Sequence, residues 1–114
     1  MGPSVRWEWV WWVGVALEQT YVVYLLASGR NGTLYVGSTV DLVGRVREHR
    51  EHAFPGFTKK YGVTRLMWFE LYESMPAARY RERQMKAWKR QWKIDLFKET
   101  NPNWDDLYPA LIAE

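Results

Sequence analysis

Thr20-Tyr21-Val22-Val23-Tyr24-Leu25-Leu26 and Thr33-Leu34-Tyr35-Val36-Gly37-Ser38 are two runs of β-branched and aromatic residues on either side of Ser28-Gly29-Arg30-Asn31-Gly32. Such residues suit a pleated surface, and a Gly/Asn break between two such runs is the signature of a hairpin. The hairpin carries two phenols, Tyr24 and Tyr35, on adjacent strands. Downstream, Asp41-Leu42 opens a helical stretch, Leu42 to His52, on which Arg45 and His49 stand four apart and share a face. Phe54-Pro55-Gly56 breaks it. Thr64 to Tyr72 is rich in aromatic and aliphatic residues and reads as a third strand. Ser74 is placed to cap a helix from about Pro76 to Trp88, with the proline in its first turn. A helix over Gln91 to Thr100 and a last short one over Trp104 to Ile112 complete the elements. Three strands with helices around one core predict an α+β domain.

Composition narrows the function. A chain of 114 residues, 47% hydrophobic and 17% aromatic, builds one core, which leaves no room for a separate recognition module of ordinary size. Cysteine is absent. Disulfide staples, thiolate-ligated zinc and a cysteine nucleophile are therefore excluded, and a reducing cytoplasm is the expected location. The net charge is +3 and the isoelectric point about 9.3. The excess is concentrated: Arg79, Arg81, Arg83, Lys86, Lys89, Arg90 and Lys93 face one nearby carboxylate, Glu82. That stretch is either a solvated helix face whose aliphatic stems cover the core or a surface that neutralises phosphates.

Residues 1–19 differ from the rest. Arg6-Trp7-Glu8-Trp9-Val10-Trp11-Trp12-Val13 is apolar, but it is interrupted by Glu8 and too short for the roughly 20 residues of a membrane helix. Trp7, Trp9 and Trp11 alternate as a strand would, so an added edge strand or a partner-binding strip is one reading. An extension of unknown role, preceding a domain over 20–112, is the other. No membrane association is expected.

Phenols, an arginine, a histidine and a carboxylate in this order suit phosphodiester chemistry. Val22-Val23-Tyr24, Tyr35-Val36-Gly37, Arg45 with His49, and Glu82 together resemble the motifs of the GIY-YIG endonucleases, in particular their small single-domain bacterial members of the UPF0213 type. The resemblance runs from about Tyr21 to Leu111 and takes in Gly56-Phe57-Thr58-Lys59-Lys60-Tyr61. It implies a small three-stranded antiparallel sheet flanked by helices, and metal-dependent hydrolysis of nucleic acid, DNA being the expected form. It also implies that Glu82 holds one divalent ion, Mg²⁺ or Mn²⁺, with mainly water around it, and that His49 assists a tyrosine. Two departures stand out. Family enzymes often carry a lysine just after the second motif, where this chain has Ser38-Thr39. Several carry an asparagine beyond the glutamate, where this chain has Lys93-Ile94-Asp95. Weakened catalysis is the expected consequence.

The residues themselves support specific roles. Arg45 presents a permanently charged planar fork to phosphate oxygens. Arg47, two residues on, cannot share its face and is expected to be solvated or to touch the nucleic-acid backbone. Tyr24 and Tyr35 either pack as ordinary strand tyrosines, or one activates the attacking water while the other orients it. Gly37 is read as giving the nucleic-acid backbone room to approach, or as marking a bulge. Lys59 and Lys60, between Phe57 and Tyr61, make a basic aromatic segment. It either follows phosphates while stacking on exposed bases, which would favour single strands, flaps or junctions, or is a surface turn with both rings in the core. Lys86, Lys89 and Arg90 are further candidate nucleic-acid contacts. Trp88 and Trp92, at i and i+4, read as core. The alternative function is a nucleic-acid-binding module of the same fold with little turnover. A monomer or weak dimer is expected.

Overall fold

In a computed structural model, which describes residues 21–52 and 56–113, strand β1 (Tyr21–Ala27) lies between β2 (Leu34–Thr39) and β3 (Arg65–Tyr72). Both pairings are antiparallel. The expected α+β class and three-stranded antiparallel sheet are therefore present. The tryptophan-rich stretch within 1–19, and Phe54 and Pro55 of the expected break, lie outside the described residues. The hairpin closes through two bonds between Ser28 and Thr33: the Ser28 amide donates to the Thr33 carbonyl at 2.9 Å, and the Thr33 amide donates to Ser28 Oγ at 2.9 Å. Asn31 supplies the left-handed residue of the turn, with φ 58°. β2 runs two residues beyond the expected Gly37, because Ser38 and Thr39 continue the ladder opposite Val23 and Val22.

Among the described residues there are five helices, two before β3 and three after it: α1 (Leu42–Arg50), α2 (Phe57–Tyr61), α3 (Met75–Ala87), α4 (Arg90–Lys98) and α5 (Tyr108–Ile112). Asp41 caps α1 by accepting from the Gly44 amide at 3.0 Å, and Ser74 caps α3 by accepting from the Ala77 amide at 3.2 Å. The segment read as a turn at 57–61 is a short helix, stopped by Gly62 in the left-handed region at φ 63°. The last helix starts at Tyr108 rather than near Trp104. Trp104 is itself left-handed, at φ 59°, and Asn101 holds the intervening turn by exchanging hydrogen bonds with the Asp105 backbone at 2.8 Å each.

Alternation along β1 divides the interior. Val22, Tyr24 and Leu26 pack with Leu42 and Val46 of α1 and Tyr108 of α5 on one face. Val23, Leu25 and Ala27 pack with Ala78 and Met85 of α3 and Phe97 of α4 on the other. No helix among the described residues is long and apolar enough to cross a membrane.

Candidate active site

Tyr24 sits mid-strand in the central strand and is 1% exposed. Directly opposite, across the β1–β2 ladder, is Gly37. A Cβ at that position would overlap the phenol oxygen and lie 2.5 Å from Tyr24 Cζ. The space left by the missing side chain is thus filled by the tyrosine ring. Gly37 therefore marks no bulge, since the β1–β2 register runs through it unbroken; the sheet irregularity lies instead between β1 and β3, where one step from Leu25 to Leu26 faces two steps from Trp68 to Leu66 and leaves Met67 of β3 as the extra residue.

The ring stacked into that notch ends at a histidine. The Tyr24 hydroxyl is 3.1 Å from His49 Nε2, and His49 Nδ1 is 3.1 Å from Thr58 Oγ1. The i, i+4 spacing on α1 does what it predicts: Arg45 and His49 both face this site, and the Arg45 charge acts on the Tyr24 hydroxyl, favouring its ionised form. Arg45 also pairs with Glu48, with Nε 3.7 Å from Oε1, and stays 40% exposed. Tyr35, half-buried at the edge of the group, has its ring centroid 6.3 Å from that of Tyr24 and 5.5 Å from that of His49. Burial first, and then the neighbouring Tyr35 phenol, push the Tyr24 hydroxyl well above the ordinary phenol range, against the pull of Arg45. Burial, followed by Arg45, holds His49 below its ordinary value, with Glu48 opposing. The imidazole is therefore neutral at pH 7.

Glu82 comes from the other side of the sheet. Ser38, which alternates with Gly37 and so points toward α3, donates its hydroxyl to Glu82 Oε1. Lys86, one turn along α3, places Nζ 2.6 Å from Glu82 Oε2 and 5.7 Å from the Tyr35 ring centre. β2 is an edge strand, so the carboxylate and the phenols approach one another around its free side. Lys86 bridges the two halves, where the sequence pointed only to nucleic-acid contact. Ser38 and Thr58 are site residues that sequence reasoning misses. Ser38 registers in the sequence only as the place where a lysine is missing, and the nine positions separating Thr58 from His49 follow no helical or strand period.

A divalent ion would find one carboxylate here. Glu82 is 17% exposed, and among the described residues no group of three or more His, Cys, Asp or Glu side chains converges as a metal cage. The Glu82 Oε2 atom already attracts a cation, the Lys86 ammonium. This arrangement fits a hard cation that takes one carboxylate and completes its shell with water and phosphate oxygens. It does not fit a caged or soft metal.

The outer rim is basic and aromatic. Arg47, Lys59, Lys60, Lys86, Lys89 and Arg90 are all exposed. Phe57 and Tyr61 are 48% and 47% exposed, so neither is tucked into the core. Their centroids are 4.9 Å apart, and Phe57 lies 6.3 Å from Tyr35. The expectation that both Trp88 and Trp92 are core holds for Trp88, half-buried against the α3–α4 side, and fails for Trp92, which is 53% exposed. The helix restarts at Arg90, with an extended residue at Trp88 and another at Lys89, so the i, i+4 relation is broken between the two rings.

The family model for the GIY-YIG catalytic domain matches residues 20–95. The chain belongs to the GIY-YIG family. UPF0213 proteins from Staphylococcus aureus strains Mu3 and Mu50 are each 32% identical over 80 residues, spanning 70% of this chain and 96% of theirs. The solution NMR structure of a UPF0213 protein from Bacillus halodurans is similar at 23% identity, with a TM-score of 0.47, over 79% of this chain and 95% of that one. Membership places the chain among nuclease-type domains that act on nucleic acid. The next asparagine beyond Glu82, Asn101, holds a turn of the backbone. Asn101 is buried, and its amide also donates to the Met67 carbonyl at 3.3 Å, tying the C-terminal turn to β3.

Proposed function

We propose that the protein is a metal-dependent endonuclease that hydrolyses phosphodiester bonds of DNA, with a preference for single-stranded, flap or branched substrates. The observation that carries this reading is the convergence of a Tyr24–His49 hydrogen-bonded pair, Arg45 and the Glu82 carboxylate around the free side of β2. Residues 20–112 form the nuclease domain, and 1–19 are an extension to it.

Arg45 binds the non-bridging oxygens of the scissile phosphate, where its charge counters the developing negative charge. Tyr35, the more accessible phenol, orients the attacking water. Tyr24 is too weak an acid to exist as phenolate at neutral pH, so its proton moves in concert. The water gives a proton to the Tyr24 oxygen, and the Tyr24 O–H proton passes to His49 Nε2. The water oxygen bonds to phosphorus and the P–O ester bond breaks. The leaving oxygen takes a proton from solvent, and His49 returns its extra proton to solvent. Glu82 would hold Mg²⁺ or Mn²⁺, which when bound offsets charge on the phosphate. Lys59 and Lys60 on one flank, and Lys86, Lys89 and Arg90 on the other, hold the strand electrostatically, with Arg47 further out. The exposed Phe57 and Tyr61 rings offer stacking faces that paired bases cannot reach, which supports the preference for unpaired nucleotides.

The test is cleavage of labelled single-stranded, duplex, flap and branched DNA, and of RNA, with Mg²⁺, Mn²⁺ or EDTA, comparing wild type with Glu82→Ala and Arg45→Ala. Divalent-dependent cutting of unpaired DNA, lost in both variants, is the expected result. Salt-sensitive binding with no cutting of any substrate would replace this reading with that of a binding module.

A further inference from the structure

We infer that Thr58 is a positioning residue: its hydroxyl accepts the Nδ1 proton of His49 and so leaves the Nε2 lone pair aimed at the Tyr24 hydroxyl. This rests on the proposed role of the Tyr24–His49 pair and adds the group that orients it.

Tyr24 and Thr58 each have a hydroxyl that can donate or accept, so the two 3.1 Å contacts to His49 allow either neutral tautomer on distance alone. Burial removes the ambiguity. Tyr24 is only 1% exposed, so bulk solvent does not satisfy its O–H and the protein must supply an acceptor. Arg45, the charged neighbour that acts on this hydroxyl, is a guanidinium and has no lone pair to accept with. His49 Nε2 is the acceptor within reach, so Nε2 is bare. A neutral imidazole then carries its proton on Nδ1, and Nδ1 faces Thr58 Oγ1. Thr58 is itself buried, so solvent does not substitute for it. The Thr58 carbonyl accepts from the Val63 amide at 2.9 Å, which fixes the residue to the start of the segment leading into β3.

Thr58 occupies the inward side of α2, whose outward side carries Phe57, Lys59, Lys60 and Tyr61. The element that touches substrate is therefore the element that orients the base. A five-residue helix with no side-chain cap has little rigidity of its own, so contacts on its outer side bear directly on how Thr58 meets the imidazole.

The chain has two histidines, so His52→Gln leaves a single imidazole to observe. Long-range ¹⁵N–¹H NMR of that full-length variant reads the tautomer without any assay of activity. The expected spectrum shows a protonated Nδ1 and a bare Nε2. Thr58→Val, close to isosteric, is expected to shift the ring toward a tautomer mixture, and Thr58→Ser to restore the wild-type pattern. On a substrate the wild type cuts, Thr58→Val lowers kcat about ten- to a hundredfold, as loss of an orienting outer partner does elsewhere, with KM little changed. Thr58→Ser restores the rate. A protonated Nε2 in the wild-type ring, or an unchanged Nδ1 tautomer in Thr58→Val, overturns the inference. If Thr58→Val does not fold, the wild-type tautomer together with the Thr58→Ser spectrum decides the matter. If the wild type cuts nothing, the nuclease reading fails while the NMR result still judges the role of Thr58.

Discussion

Gly37→Ala isolates the notch on which the site is built. The added methyl would sit 2.5 Å from Tyr24 Cζ and 3.0 Å from Cε1, whereas carbon atoms rest at about 3.5–4.0 Å. The ring must therefore recede by about 1 Å, and it is hemmed in by Tyr35 and His49, with centroids 6.3 and 5.9 Å away. Overpacking of this kind costs about 1–3 kcal/mol. A shift of that size also breaks the 3.1 Å bond to His49, a further loss of about 0.5–1.5 kcal/mol. Stiffening of the unfolded chain by Gly→Ala returns about 0.4–1 kcal/mol. The net destabilisation is about 0.5–4 kcal/mol, a fall in Tm on the order of 10 °C for a domain of this size. Circular-dichroism melts and urea titrations of wild type, Gly37→Ala, Tyr24→Phe and the double variant measure it. Removing the phenol oxygen relieves part of the clash, so the double variant is expected to be more stable than the sum of the single changes, by about 0.5 kcal/mol or more. An unchanged midpoint in Gly37→Ala, or strict additivity with Tyr24→Phe, would refute the notch.

Four further outcomes are expected. Tyr24→Phe keeps the ring in its notch and loses the relay, so the melt shifts by only about 1 kcal/mol while kcat on a cleavable substrate falls about 10²- to 10⁴-fold; an active Phe variant would remove Tyr24 from the chemistry. His49 has a folded pKa below its ordinary 6.5, so between the two values the unfolded chain binds more protons. Its contribution is fully present above about pH 6.5 and is lost as pH falls toward the folded value; urea midpoints from pH 5 to 8 should show this as a wild-type slope that flattens in His49→Gln. Lys59→Gln with Lys60→Gln should reduce the salt dependence of single-strand binding by a log–log slope of about 0.7 for each phosphate left without its cation, and an unchanged slope would place the strand elsewhere. Phe57→Ala should weaken binding of unpaired DNA by about 1–3 kcal/mol and leave duplex binding nearly unaltered, as fluorescence anisotropy can measure.

The hairpin, the third strand and the caps at Asp41 and Ser74 are legible in the sequence because each depends on local chemistry: β-branched runs, a Gly/Asn turn, an acceptor side chain ahead of a helix. Arg45 and His49 are legible because helical period is local too. What escapes depends on which face of a strand meets which helix. Ser38 meets Glu82 only because β2 pairs with β1 in a register that turns residue 38 toward α3, and Thr58 meets His49 only because α2 lies against α1. Gly37 misleads for the same reason, since its opposite number across the ladder is invisible until the register is known. The exposed position of Trp92 follows from two extended residues between helices that a continuous helical period does not anticipate.

Tyr24 is a core residue and a site residue in the same side chain. Its ring fills the Gly37 notch and contributes to the interior, and only one oxygen atom at its tip belongs to the chemistry. Selection on folding therefore constrains the ring, and selection on activity constrains the hydroxyl. A descendant that gave up cleavage would be expected to keep glycine at position 37 and drift from tyrosine to phenylalanine at position 24, with its architecture undisturbed. Phenylalanine there, in an otherwise well-preserved relative, would be the mark of a domain that had retired from catalysis and kept its shape for some other use.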